Sequence, residues 1–142
     1  VLWRRSRSVA PRGEGPAFQA KVRARMASAL AQSQGAWLPQ MFPEANLERA
    51  LLAAPPGDRI VLDPDGDSLV GDGTIRMAAP VIIAIGPEGG IEDDELAALV
   101  AAGFRKGSIG PNTLRFETAA VAALSMVRTV LHTSNTSHPE PT

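Results

Sequence analysis

The sequence contains no cysteine and only two histidines, His132 and His138, both close to its C-terminal end. Without thiols there can be no disulfide, zinc-thiolate site or catalytic thiol, and the chain suits a reducing, cytoplasmic setting. With histidine so scarce and so late, neither a histidine-based catalytic site nor a resident metal is expected. The chemistry is left to Arg, Glu, Asp, Ser, Thr, Asn and backbone groups. No run approaches the roughly eighteen apolar residues of a membrane-spanning helix. The N-terminal basic stretch is not followed by the apolar segment of a signal peptide. The sequence opens on Val1 rather than Met, and Val1-Leu2-Trp3 reads like the inside of a strand. The expectation is a chain that begins within a larger protein.

What is present describes one globular domain. A length of 142 residues, 44% hydrophobic and 20% charged, allows a single core and is short for two. The net charge of −1 hides an uneven distribution. Arg4, Arg5, Arg7, Arg12, Lys21, Arg23 and Arg25 place seven of the 14 basic residues in the first 25 positions, against Glu14 alone. Such a cluster attracts phosphate backbones, and Arg4, Arg5 and Arg7 are its candidate RNA contacts; it reads equally as a solvated face.

Along the chain, residues 1–10 suggest a strand running into an arginine-rich loop, and Pro11 to Pro16 a breaker. Phe18, Val22, Met26 and Leu30 recur every four residues, which predicts a helix ended by Gly35. Asn46 is placed to cap a short helix, Leu47 to Ala54. Strands are expected at Ile60-Val61-Leu62, at the β-branched run Val81 to Ile85, and around Ser108-Ile109, with a loop from Asp63 to Pro80. Glu92, Asp93, Asp94 and Glu95 fall in the first turn of a helix, where the macrodipole favours carboxylates. Its apolar stripe is Leu96, Leu99 and Val100, and Gly103 stops it. A last helix runs from about Glu117 to His132, with Val121, Leu124, Val127 and Leu131 inward, before a tail over 133–142. Alternating strands and helices predict an α/β fold with a mainly parallel sheet flanked by helices, and ligands at the carboxyl ends of its strands.

Two glycine-proline segments occupy that position: Ile85-Gly86-Pro87-Glu88-Gly89-Gly90 and Ile109-Gly110-Pro111-Asn112-Thr113-Leu114-Arg115. The first joins strand to helix, where glycine lets the backbone approach a ligand. It is a poor phosphate clamp, because Glu88 lies within it, carboxylates follow at Glu92 to Glu95, and no lysine follows the glycines. It suits a neutral or cationic ligand held by backbone groups, or else is a tight turn without one. In the second segment Leu114 is an apolar plug. Arg115 either pairs with a carboxylate such as Glu117 or faces a ligand as a fixed cation. Glu117 and Thr118 are candidate helix caps.

Together with Glu95-Leu96, Gly103-Phe104 and Phe116-Glu117-Thr118-Ala119-Ala120, these segments resemble the C-terminal part of the bacterial small-subunit ribosomal-RNA uridine-N3 methyltransferases, members of the SPOUT superfamily. Arg7-Ser8-Val9, Gln32-Ser33 with Pro39, and Leu62-Asp63-Pro64 extend the likeness over most of residues 7–131. The resemblance implies a C-terminal segment threaded into a trefoil knot, an exception to unknotted topology, and a homodimer. It implies S-adenosylmethionine as cofactor, contacted by Leu62, Gly86, Glu88, Gly89, Ile109, Leu114 and Ala119. The sulfonium of that cofactor tolerates an acidic loop. The implied reaction is methyl transfer to N3 of a uracil in small-subunit ribosomal RNA. Arg115 would stabilise charge on the uracil carbonyls, and Glu117 or Glu88 would accept the proton.

Two departures from the family pattern are Phe116, where a small or hydroxyl-bearing residue is frequent, and Gly35, where arginine is. The family's RNA-binding barrel and the first strand and helix of its knotted domain are not matched. The expected domain therefore spans 1–132 and is incomplete at its N-terminus. Competing readings are a related knotted methyltransferase acting on tRNA, and an RNA-binding or assembly module without turnover.

Overall fold

The computed structural model describes residues 15–42, 45–69, 77–87 and 89–136, the last four as backbone only. The expected strand at 1–10, the arginines Arg4, Arg5 and Arg7, and Glu88 lie outside the described residues. Two compact units divide the chain, Val1–Ala50 and Leu51–Thr142.

In the first unit, helix α1 spans Gly15–Ser33. Phe18, Val22, Met26 and Leu30 are its half-covered residues, as their spacing predicts, although none is buried. Its end differs from expectation. Gln34 takes the left-handed conformation (φ 54°), and the Gly35 N–H reaches back to the Leu30 carbonyl at 3.2 Å. This is the six-to-one bond of a helix end in which the glycine is one place beyond the left-handed residue. Helix α2, Leu47–Ala53, runs across the boundary between the units and begins as expected: the Asn46 side chain accepts the Arg49 N–H at 2.9 Å.

The second unit is built on three strands, β1 (Asp58–Ser68), β2 (Val81–Ala84) and β3 (Arg105–Ser108), in the order β2-β1-β3 and all parallel. Consecutive residues of β1 point to opposite faces, and Ile60 and Val61 are both fully buried. The central strand is therefore covered on both sides, which is why it reads as unbroken apolar sequence. Helix α3 (Asp93–Ala101) links β2 to β3, and α4 (Phe116–Thr136) follows β3. On one face Ile60 and Leu69 meet Met77 and Val127, with Val81, Ile83, Met126 and Val130 packed around them.

The helix faces correct two expectations. In α3 Leu99 is buried but Val100 is 48% exposed. In α4 the buried stripe is Ala119, Ala123 and Val127, four residues apart, whereas Val121 and Leu124 stand 68% and 56% exposed. At 3.6 residues per turn, position 121 lies about 200° round from 119, so bulk alone misplaced the inward face. Glu117 and Thr118 lie inside the helix rather than capping it, because α4 starts at Phe116 and runs four residues past His132.

β1 also clamps α3. Arg59 donates to the carbonyl of Ala102, at the C-terminal end of α3, at 2.7 Å, and its guanidinium stands 5.9 Å from the Phe104 ring centroid. A cation there complements the helix dipole. No described helix is long and apolar enough to cross a membrane.

Candidate functional site

Because all three strands are parallel, their carboxyl ends share one edge of the sheet, and three connections meet there. After β2, the chain needs glycine at position 86: a Cβ there would come within 2.6 Å of Ile91 Cγ1. The missing side chain lets Ile91 fold back over the loop. The Gly90 N–H donates to the Pro87 carbonyl at 2.8 Å, closing a four-residue turn with Gly90 at φ 79°. After β3, Gly110 has φ 144°, a conformation that costs a side chain strain. The Ser108 hydroxyl braces it, donating to the Gly110 carbonyl at 3.1 Å and accepting its N–H at 3.3 Å. The Arg115 carbonyl then accepts the Ala119 N–H at 2.8 Å as α4 begins.

The third connection lies within β1, where a plain loop from Asp63 to Pro80 was expected. β1 leaves its ladder with β3 after Leu62 and returns at Asp67, and both residues stand opposite Gly107. Residues 63–66 are thrown out as a bulge between the two. Asp63 holds it: Oδ1 accepts the Asp65 N–H at 2.8 Å, and Oδ2 lies 3.1 Å from Lys106 Nζ. The Asp63 side chain is only 14% exposed, so this pair is better shielded from solvent than an ordinary surface one.

These connections enclose a cavity of about 380 Å³. Its walls include Leu62, Gly86, Ile109, Leu114 and Ala119, five of the seven positions that the family resemblance implies for cofactor contact. Gly89 is exposed and outside the lining. Arg115 and Glu117 are exposed and also outside it, although Arg115 directly follows the lining residue Leu114. Phe116 opens α4 and is half-buried. Sequence reasoning missed Asp63, Asp65, Asp93 and Lys106, which supply the charged part of the wall. One signal was available: Asp63-Pro64-Asp65-Gly66 has the composition of an aspartate-headed turn. Lys106 carried none, since its place depends on how β3 pairs with β1. Among the described residues no group of His, Asp or Glu is arranged to hold a metal ion.

A family model for the RNA methyltransferase domain matches residues 1–128. The chain belongs to this RNA methyltransferase domain family. Within the family, the ribosomal RNA small subunit methyltransferase E of Mycobacterium bovis is 41% identical over 68 residues, 48% of this chain and 26% of that protein. That of Rickettsia conorii is 47% identical over 49 residues, 34% of this chain and 20% of that protein. Among solved structures, the Neisseria gonorrhoeae ribosomal RNA small subunit methyltransferase E bound to S-adenosyl methionine superimposes with a TM-score of 0.68. It is 29% identical, and the match covers 78% of this chain and 48% of that one. A probable rRNA-methyltransferase from Porphyromonas gingivalis shares the fold at a TM-score of 0.75 and 22% identity, over 94% of this chain and 56% of that one. The matches thus span about half of these solved RNA methyltransferases and 20–26% of the curated ones.

Proposed function

We propose that the cavity is an S-adenosylmethionine site and that the protein methylates small-subunit ribosomal RNA at N3 of a uridine. The observation that carries this reading is the cavity itself, closed by the two glycine-proline loops and the β1 bulge. Its volume of about 380 Å³ lies within the range of small-molecule sites. Its donor set also fits: Asp63, Asp65 and Asp93 outnumber Lys106 among the described lining residues. An acidic wall repels a polyphosphate and accepts a cation. The relative of known structure with S-adenosyl methionine bound supports the same assignment.

Leu62, Gly86, Ile109, Leu114 and Ala119 would form the cofactor contacts through apolar surface and loop backbone, with Glu88 and Gly89 completing the first loop. When bound, the cofactor supplies an electrophilic methyl group. N3 of a neutral uracil carries a proton, so a nucleophile forms only as that proton departs. Arg115, exposed beside Leu114, is the cation assigned to charge developing on the uracil carbonyls, and Glu117, in the first turn of α4, is the proton acceptor. The target base must be presented unstacked, and Arg4, Arg5 and Arg7 are assigned to its phosphates.

The reading extends to a cytoplasmic protein with a methyltransferase domain over 1–132, whose C-terminal segment forms a trefoil knot, followed by a tail. It extends also to a homodimer, supported by Val121 and Leu124, which leave an apolar strip on α4 for a second copy to cover. The deciding experiment uses the full-length gene product. Calorimetry is expected to detect S-adenosylmethionine binding, and mapping of ribosomal RNA from cells lacking the gene a missing N3-methyluridine. A methylation defect confined to tRNA would move the substrate. An active protein whose rate is unchanged by Arg115→Ala would remove the mechanism.

A further inference from the structure

The charge balance of the cavity carries a further inference, which rests on reading it as the S-adenosylmethionine site. Among the described residues its lining holds three carboxylates, Asp63, Asp65 and Asp93, and one ammonium, Lys106. Lys106 is taken up by Asp63, 3.1 Å away, and the other oxygen of Asp63 receives the Asp65 N–H. That pair is neutral as a unit. Asp65 and Asp93 make no ion pair among the described residues, so the wall keeps a negative excess. The two come from different elements, Asp65 from the β1 bulge and Asp93 from the first turn of α3. The dipole of α3 offsets part of the Asp93 charge. Among the described residues Asp65 has no such neighbour, which makes it the stronger source.

S-adenosylmethionine and its demethylated product differ at a single centre. On transfer, the C–S bond breaks with its electron pair kept by sulfur, and the methyl carbon takes a new pair from the deprotonated uracil nitrogen. The sulfonium charge is gone, while adenine, ribose and amino-acid groups are unchanged. Contacts to those groups cancel in a comparison of donor with product, but the field of the wall does not. We propose that Asp65, aided by Asp93, is the specificity-determining group that makes this pocket hold the charged donor more tightly than the neutral thioether product. Lys106 limits the preference by neutralising Asp63. Loss of the charge during the reaction then weakens the hold on the spent cofactor and favours exchange.

Titration calorimetry tests this on the full-length gene product, with S-adenosylmethionine and S-adenosylhomocysteine as separate probes at low and high salt. Asp65→Asn is expected to lower the ratio of donor to product affinity roughly fivefold and Asp93→Asn roughly twofold, with product affinity unchanged. Both effects shrink as salt screens the wall. Lys106→Met is expected to raise the ratio. Equal losses for the two probes in Asp65→Asn, the mark of a merely structural role, overturn the proposal, as does an unchanged ratio. If the wild type binds donor and product equally, or Lys106→Met lowers the ratio, the charge argument fails while the site assignment stands. If the wild type binds neither, the site assignment fails with it.

Discussion

The glycine-proline loops and the β1 bulge wall the same cavity, but they are made of different things. The loops are shaped by missing side chains and backbone angles: the gap at Gly86 that admits Ile91, and φ 144° at Gly110. The bulge is shaped by charge: Asp63 gripped by Lys106 and by the Asp65 N–H. Parts built from backbone geometry are rigid and specific to one residue type, so substitution breaks them outright. Parts built from an ion pair tolerate change and respond to salt. The site therefore combines a fixed cradle with a tunable electrostatic wall.

The largest effect should come from Gly86→Val. With Ile91 Cγ1 2.6 Å from where a Cβ would stand, the loop must move, at a cost of ~2–3 kcal/mol in overpacking. Binding of S-adenosylmethionine, read by calorimetry, should fall at least about a hundredfold; an unchanged affinity would show that the loop does not shape the site. Gly110→Ala should come next. Nothing lies within 4 Å of a Cβ there, so the cost is conformational only. Thermal unfolding should report a loss of ~1–2 kcal/mol from the strained φ. A neutral result would mean that the Ser108 brace, not the glycine, sets the second loop.

The smallest effect should be that of Lys106→Met on stability. The Lys106 side chain is 40% exposed, so screening leaves at most ~1 kcal/mol, and the loss should diminish in high salt. A salt-independent loss would place Lys106 with the backbone-built parts, and would erase the distinction between the two regions. Outside the site, Leu99→Ala gives a scale for comparison. A fully buried leucine of α3 should cost ~2–4 kcal/mol in chemical denaturation.

The two regions also differ in how visible they were beforehand. Gly86 and Gly90 announce themselves, because a glycine between a β-branched run and an acidic helix start has few local explanations, and Gly110 does so through the proline that follows it. The parallel sheet, the Asn46 cap and the acidic first turn of α3 were visible for the same reason: each rests on residues adjacent in the chain. The inward face of α4 was not, since Val121 and Leu124 are larger and more apolar than the alanines that are in fact buried. Nor was the end of α1, where Gln34 rather than Gly35 takes the left-handed turn.

By itself, then, the order of residues determined the strand-helix alternation, the two loops and the family likeness. These depend on propensity, periodicity and motif spacing within a few residues. The tertiary structure alone decided that Leu62 and Asp67 share Gly107 as their neighbour, that the bulge this creates brings Asp63 to Lys106, and that Asp65 and Asp93 face one cavity. Those contacts join residues about 30 to 45 positions apart. Their existence depends on strand register, and register is a property of the assembled sheet rather than of either strand.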